Sequence, residues 1–223
     1  MRMHKWIACI FPPPLKEGEN CRRKGQSQLN STAILVLGMH RSGTSATAGC
    51  LRNLGVRLGR RKRLLGPADH NPRGHFEHAG IMKLHDTLLC TLGSRWDNPS
   101  PLPEGWERDS CIDHLRNRLK AILLRDFAGA GLWGVKDPRM CRLLPVWLPL
   151  LSELGVEIKA LHVVRAPGAV AASLAARDAM PEEQAFALWL SHSLSAEWAT
   201  RRLARTVMLY DDLIADWRAR LLE

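Results

Sequence analysis

A glycine-bounded loop between an apolar run and a short helical segment is the part of this sequence best suited to chemistry. Residues 34–45 read Ile-Leu-Val-Leu-Gly-Met-His-Arg-Ser-Gly-Thr-Ser. The aliphatic run predicts a buried strand, and the segment from Thr44 onward predicts a helix. Loop N–H groups and the unpaired N–H groups of a helix start converge on one point, where the helix dipole also attracts an anion. We therefore expect a phosphate site here.

The spacing of this loop matches the nucleotide-binding P-loop at all positions but one. Gly38 and Gly43 are separated by four residues, and Ser45 occupies the hydroxyl position. Thr44 stands where an NTPase needs Lys, and the basic residue lies earlier, at Arg41. This departure points away from ordinary ATP or GTP hydrolysis. The alternative interpretation is a tight strand-to-helix turn without a ligand.

Charged residues also follow a second apolar run. Lys136, Asp137 and Arg139 come directly after the predicted strand that begins at Leu132. In a parallel sheet, ligands bind outside the carboxyl ends of the strands. Lys136 and Arg139 are thus candidates to contact an anionic ligand. A local ion pair that orients a basic neighbour is the alternative role for Asp137.

A third strand end carries an arginine and a hydroxyl. Arg165 ends the predicted strand Glu157–Val164, and Ser173 lies on the helix that follows. Pro167 suits the first position of that helix. A guanidinium and a hydroxyl placed in this way can share one phosphate, with the arginine making paired charge-assisted hydrogen bonds.

Imidazole and carboxylate groups cluster just before the helix predicted from Ala79. His75, Glu77 and His78 follow a turn signal that begins at Asn71, at a junction where a loop can direct side chains towards a ligand. All three are good metal ligands, but their spacing matches no zinc pattern. Polar surface residues are the alternative interpretation.

The elements between these motifs alternate between strands and helices. This order predicts an α/β protein, a P-loop-like three-layer fold with a central, mostly parallel sheet flanked by helices. We expect long helices over residues 106–127 and 181–203, a helix kinked or broken by two prolines over 140–154, and a last strand over 206–210. Residues 1–31 are predicted to be a mobile extension, and residues 32–223 a single domain.

Composition narrows the class of partner without choosing one. The chain has 223 residues and a net charge of +10, from 32 basic and 22 acidic residues, which favours anionic partners. Its six cysteines are scattered without a metal-binding pattern, as expected in a reducing compartment. No apolar stretch is long enough for a transmembrane segment. The sequence thus predicts a cytoplasmic protein. The basic run at residues 57–63 is either solvated surface or a contact for an acidic partner.

Taken together, these motifs resemble the sulfotransferases that use 3′-phosphoadenosine 5′-phosphosulfate (PAPS), in particular the bacterial sulfotransferase-family proteins. The resemblance rests on the loop at residues 38–45, the segments 71–77 and 136–139, Arg165 with Ser173, and residues 210–213. It covers residues 32–220. The glycine-rich C-terminal nucleotide motif of the cytosolic enzymes is absent, and family members usually continue with further helices, so the domain is expected to be truncated at its C-terminus.

The resemblance implies roles for individual residues. The loop residues that hold the 5′-phosphosulfate would be Arg41, Ser42, Gly43, Thr44 and Ser45. The 3′-phosphate would be bound by Arg165 and Ser173. A catalytic role for Arg41 follows from its position beside the leaving phosphate, and no metal is required for the reaction.

The resemblance also implies a catalytic base that removes the acceptor proton. Cytosolic family members use a His in a motif that this sequence lacks, and some Golgi members use a Glu. By position and type, Glu77 is the first candidate here and His75 the second. The acceptor itself, a hydroxyl or amine of a carbohydrate, lipid, peptide or small molecule, is not encoded in a recognisable motif.

Two other functions fit parts of the sequence. A P-loop kinase of a small substrate would share the sheet and the loop, but Thr44 replaces its Lys, and Asp211 with Asp212 are its only candidate Mg²⁺ ligands. A non-catalytic protein that binds an acidic glycan or nucleic acid would use the basic run at residues 57–63. No recognised nucleic-acid motif accompanies that charge, so nucleic acid is not an expected partner.

Overall fold

A parallel sheet of four strands forms the centre of the fold. The computed structural model describes residues 28–69 and 71–222, so most of the predicted N-terminal extension lies outside the described residues. The strands are β1 Thr32–Leu37, β2 Leu132–Lys136, β3 Glu157–Val164 and β4 Ala204–Leu209. Their order in the sheet is β2-β1-β3-β4, and all three pairings are parallel. The predicted α/β class with a parallel sheet is confirmed.

Seven α-helices connect and flank these strands in the part of the chain that the structure describes. They are α1 Thr44–Asn53, α2 Ala79–Thr91, α3 Asp113–Phe127, α4 Met140–Glu153, α5 Pro167–Asp178, α6 Glu182–Ala199 and α7 Tyr210–Leu222. Helices pack on both faces of the sheet. Most of the predicted bounds agree with these to within a few residues.

The central strand β1 supplies side chains to a separate apolar core on each face of the sheet. Ala33, Leu35 and Leu37 pack with residues of α2, α3 and α4. Ile34 and Val36 point the other way and pack with residues of α1 and α7. Because successive side chains of a strand lie on opposite faces, a strand covered on both faces is apolar throughout. This explains why the run 33–37 is fully buried.

Four sequence predictions about the helices and strands need correction, two of which concern the helices predicted over 106–127 and 181–203. The predicted helix 106–127 is divided into two 3₁₀ turns, Trp106–Arg108 and Ser110–Ile112, before α3 begins. Asp109 is extended between them, and its carboxylate accepts the N–H of Cys111 at 2.8 Å, which stabilises the interruption. The helix predicted over 181–203 ends earlier, at Ala199, where α6 is followed by a turn that leads to β4.

The other corrections concern α4 and α7. Helix α4 continues through both Pro145 and Pro149, so it is not broken, because its buried face, including Trp147, packs into the core. Tyr210, predicted as the last residue of a strand, is instead the first residue of α7. This change brings the Tyr210 side chain to the glycine loop.

The start of the fold precedes residue 32. The N–H of Leu29 donates to the carbonyl of Leu154 at 2.8 Å, and the hydroxyl of Ser31 accepts the indole N–H of Trp133 at 2.8 Å. Residues 28–31 are therefore attached to the domain. None of the helices in the described ranges is both long and apolar enough to cross a membrane.

We expect Leu35→Ala to reduce the free energy of unfolding by about 2–5 kcal/mol, because the substitution opens a cavity in the central strand. Leu209→Ala is the matched control: Leu209 is half exposed at the end of β4, and its truncation should change the free energy by less than about 1 kcal/mol. Urea denaturation followed by circular dichroism measures both. Equal effects of the two substitutions would contradict the two-core description.

Candidate functional site

The loop between β1 and α1 has a backbone that requires glycine at both ends. Gly38 and Gly43 have φ angles of +155° and +95°. A Cβ atom on Gly38 would lie 2.4 Å from the carbonyl oxygen of Val163, and one on Gly43 would lie 2.4 Å from a ring carbon of Tyr210. Both contacts are far shorter than van der Waals distance. Steric contacts on both sides of the loop therefore explain why positions 38 and 43 are both glycine.

The start of α1 offers unpaired N–H groups. Gly43 is the N-cap residue and provides no side chain to cap the helix, and the first turn contains no acidic residue. The first N–H groups of a helix have no partner within the helix, and they form the positive end of its dipole. An anion that binds at residues 43–46 would satisfy these donors.

An open cleft of about 710 Å³ lies against this helix start. It is bounded by the loop, by residues 71–76, by the end of β2 and by α7. Its lining, as far as the chain is described, contains six cationic side chains and no Asp or Glu. The six are Arg41, Arg52, Arg73, Lys136, Arg165 and Arg177. A cavity lined by one sign of charge concentrates ligands of the opposite sign.

Three predicted site residues meet at one side of the cleft. The Arg41 side chain donates from Nε to the hydroxyl of Ser173 at 2.8 Å. A guanidinium N–H of Arg165 donates to the backbone carbonyl of Arg41 at 3.1 Å, and the same guanidinium lies 4.4 Å from the centre of the Tyr210 ring. Burial lowers the pKa of Arg41, and the nearby charges of Arg177 and Arg165 lower it further. An anion bound here would relieve this repulsion between arginines.

The ammonium group of Lys136 joins the loop to the segment before α2. Lys136 Nζ donates to the hydroxyl of Ser45 at 3.0 Å, to Glu77 Oε1 at 2.5 Å and to the carbonyl of His75 at 3.4 Å. Asn71 also donates to the Ser45 hydroxyl, at 3.2 Å. The end of β2 thus supplies a cation directly beside the start of α1.

Glu77 lies behind Lys136. Its carboxylate is buried and has Arg139 as a second basic neighbour, at 3.7 Å. Burial raises the pKa of Glu77, and the adjacent Lys136 opposes this effect without cancelling it. Glu77 does not line the cleft, whereas His75 does. The two candidate bases therefore differ in their access to a ligand.

Arg139 belongs to a buried polar network and does not line the cleft. It bonds to Asp86 at 2.5 Å and to Asp137 at 3.0 Å, so the local ion pair expected for Asp137 is present. Asp137 also pairs with His85 Nδ1 at 3.0 Å, and the indole N–H of Trp147 donates to His85 Nε2 at 2.8 Å. Burial alone would raise the pKa of Asp137, but His85 and Arg139 hold it well below its usual range.

His78 is a structural residue of the α2 N-terminus. Its Nδ1 accepts the N–H of Ile81 at 3.3 Å, so its proton lies on Nε2, which donates to Asp126 at 3.0 Å. Both ring nitrogens are therefore used. Among the described residues, no group of three His, Cys, Asp or Glu side chains is arranged to hold a metal ion.

The predicted site residues are distributed unevenly around the cleft. Of the loop residues, Arg41, Gly43, Thr44 and Ser45 line it, and Ser42 is buried beneath it. The basic run at residues 57–63 contributes nothing to the lining. Within that run, Arg60 pairs with Asp126 at 3.2 Å.

Sequence reasoning missed several residues of the cleft, among them Arg52, Arg177 and the ring of Tyr210. Arg177 lies four residues after Ser173 on α5 and therefore on the same side of that helix. That spacing was a usable signal. The position of Tyr210 beside Gly43 depends on where α7 begins, and no local pattern indicates it.

Comparison with known proteins adds no assignment. No protein-family model matches the chain, and no curated protein matches it. The functional interpretation therefore depends on the geometry and charge of the cleft.

One buried imidazole, His40, belongs to the loop, and a second, His192, lies beside it. The ring centres of His40 and His192 are 6.5 Å apart, and the Nε2 atoms of both have no hydrogen-bond partner among the described residues. His192 Nδ1 donates to the carbonyl of Leu188 at 2.8 Å. Burial lowers the pKa of His192 to about 4, with Arg142 and Arg139 contributing in the same direction and Asp137 opposing them. Both the burial and the arginines favour a neutral His192 ring.

This burial predicts a loss of stability in mild acid. The unfolded chain protonates His192 near pH 6.5 but the folded chain only near pH 4, so the folded state loses stability as the pH falls between these values. From pH 7 to pH 5 the loss from His192 is about 2 kcal/mol. His192→Leu should flatten the dependence by this amount in urea titrations at several pH values. His114→Gln, which alters an exposed imidazole, should leave it unchanged, and an unaltered slope in His192→Leu would contradict the assignment.

Proposed function

We propose that this chain is a P-loop-like sulfotransferase that moves a sulfuryl group from PAPS to an acceptor hydroxyl or amine. The observation that carries the proposal is the cleft beside α1, which has six cationic side chains and no carboxylate in its described lining. PAPS is a polyanion with phosphates at both ends of its ribose. A cleft that has donors at the helix start and further cationic side chains around Arg165 suits such a ligand.

The residues at the helix start fit the 5′-phosphosulfate. Gly43 leaves the first N–H groups of α1 uncapped, and its missing Cβ lets the loop close against Tyr210. Thr44 and Ser45 add hydroxyls at the cleft surface. When bound, PAPS supplies the activated sulfuryl group. The chain supplies fixed donors for the charge of the leaving phosphate, and losing one such donor typically costs a few kcal/mol of barrier.

Lys136 offers an explanation for the missing lysine of the loop. In the P-loop pattern the lysine precedes the hydroxyl residue, and here that position is Thr44. Lys136 Nζ lies 3.0 Å from the Ser45 hydroxyl, so a cation reaches the same region from the neighbouring strand. Arg41 supplies a second cation from within the loop. Both side chains could donate hydrogen bonds to an anionic leaving group, with the charge of Lys136 partly balanced by Glu77.

The second cluster would hold the 3′-phosphate. Arg165 lines the cleft, and Ser173 and Arg177 follow on α5. The guanidinium of Arg165 is fixed by the Arg41 carbonyl and the Tyr210 ring, so little freedom is lost when it binds a phosphate.

The catalytic base is proposed to be the candidate side chain that can reach the acceptor in the cleft. The position of His75 in the cleft lining supports it for this role. Glu77 would hold Lys136 in place through its 2.5 Å ion pair, and its raised pKa would also suit a proton acceptor. Glu77 as the base stays a prediction that the transfer assay below tests.

The competing functions have less support in the structure. Asp211 and Asp212, the candidate magnesium ligands of a kinase, do not line the cleft, and Asp212 lies 3.7 Å from Arg220. The basic run at residues 57–63, which a binding protein for acidic polymers would use, lies outside the cleft. The binding-protein alternative therefore leaves the cationic cleft without a role, and the kinase alternative lacks magnesium ligands in the described lining of the cleft.

We expect 3′-phosphoadenosine 5′-phosphate to bind the chain, with Arg165→Ala weakening binding by about 10- to 150-fold, because a charge-assisted pair is lost. Isothermal titration calorimetry measures the affinity. Arg118→Ala, which removes an exposed arginine on α3, is the matched control and should bind normally. Tight binding of ATP with Mg²⁺ and none of the bisphosphate would instead favour the kinase.

With labelled PAPS and a panel of carbohydrate, lipid, peptide and small-molecule acceptors, the chain should yield a labelled product identifiable by mass spectrometry. His75→Asn should lower the transfer rate by about 100-fold or more while the bisphosphate still binds, since general base catalysis contributes at least that much. Glu77→Gln is assayed in parallel. Normal transfer by His75→Asn, together with a large loss in Glu77→Gln that leaves the bisphosphate affinity and the thermal stability unchanged, would assign the base to Glu77.

A further inference from the structure

Helix α6 exposes an apolar stripe along its whole length. Phe186, Leu190, Leu194 and Trp198 repeat every four residues and are 37%, 51%, 57% and 70% exposed. Residues four apart lie on one side of a helix, so these side chains form a single ridge. A contiguous exposed apolar surface of this kind usually marks an interaction site.

The opposite side of α6 already packs in the fold. Ala185, Leu188, His192 and Ala196 are buried, and α6 packs against α4 and α5. The stripe is therefore not needed to attach the helix to its own domain. At 18 residues, α6 is about 27 Å long, which is enough for a helix-to-helix contact between two molecules.

Charges at the two ends of the stripe are opposite. Glu182 and Glu183 are exposed at the start of α6, and Arg201 and Arg202 are exposed just beyond its end. An antiparallel copy of the same helix would place each acidic start beside a basic end. The charge pattern is thus complementary to itself in one orientation and repulsive in the parallel one.

The apolar residues have the same symmetry. With a two-fold axis passing at the level of residue 192, Phe186 lies opposite Trp198, Leu190 lies opposite Leu194, and Glu183 lies opposite Arg201 of the second copy. His192 itself faces the core, so the axis meets the helix on its exposed side. An isologous dimer requires this kind of self-complementary surface.

We propose that α6 is the interface of a homodimer in which two copies of the helix pack antiparallel about a two-fold axis. Trp198 also forms a wall of a second cleft, about 340 Å³, together with Leu102 and Pro145. Phe186 of the second copy would cover this wall. The dimer therefore covers the stripe, pairs the charges at its ends and covers the Trp198 wall of the second cleft.

The test is the oligomeric state of the full chain, measured by sedimentation velocity over a range of concentrations. We expect a concentration-dependent dimer. Leu194→Glu should weaken it by about 100-fold, because it places two like charges near the axis in an apolar interface. Val207→Glu is the matched control: it alters an exposed apolar residue of β4 outside the stripe and should leave the dimer intact.

A charge exchange distinguishes this arrangement from non-specific association. Glu183→Arg and Arg201→Glu should each weaken the dimer about tenfold, and the double variant, which restores opposite charges across the axis, should recover most of the affinity. Arg201 also pairs with Glu197 at 2.9 Å in its own helix, so thermal unfolding of each variant is measured alongside. A monomer at all concentrations, through cover by another segment of the chain or because a different protein uses the stripe, would overturn the proposal. So would failure of the double exchange to restore association.

Discussion

The ion pair between Lys136 and Glu77 connects the parts of the molecule from which the cleft is built. Lys136 is the last residue of β2, Glu77 lies just before α2, and the hydroxyl that Lys136 also binds belongs to α1. Both charged groups are buried, so breaking the pair would leave an uncompensated charge, which is strongly destabilising. The position of the segment at residues 71–77, which forms one wall of the cleft, therefore depends on this contact. The cleft keeps its shape because Lys136, one of the cations that line it, also holds these elements together.

The parallel sheet explains why widely separated residues reach one site. Strands that run in the same direction deliver their carboxyl ends to one edge, so the loop after β1 and the residues after β2 and β3 are neighbours there. The glycine loop is held from both sides, by β3 through Val163 and by α7 through Tyr210. A loop confined in this way presents its N–H groups in a fixed arrangement before any ligand binds.

The sequence predicted what local patterns and sheet geometry determine. The strand Glu157–Val164 and the helix starts at Thr44 and Pro167 follow from apolar runs and capping rules, and the placement of Arg41 and Arg165 at one edge follows from the parallel sheet. The hydrogen bond between Arg41 and Ser173 was not predicted, because the resemblance assigned these two residues to different phosphates. Contacts set by the packing of distant elements were not predictable. The partners of Lys136 and the place of Tyr210 depend on which helix lies against which strand. The continuity of α4 depends on the burial of one face, which outweighs the local effect of its two prolines.

A series of hydrogen bonds runs from Trp147 through His85 and Asp137 to Arg139, and it keeps the negative charge of Asp137 beside Arg139. Because the Trp147 indole donates to His85 Nε2, the imidazole must carry its proton on Nδ1 and direct it at Asp137, which stays ionised. Arg139 is thereby compensated by carboxylates behind the cleft. The described lining of the cleft contains no carboxylate, although one of its arginines, Arg177, pairs with Asp178 at 2.6 Å. The Trp147 indole, far along the chain from the loop, thus fixes the tautomer of His85, whose Nδ1 proton stabilises the carboxylate that compensates Arg139.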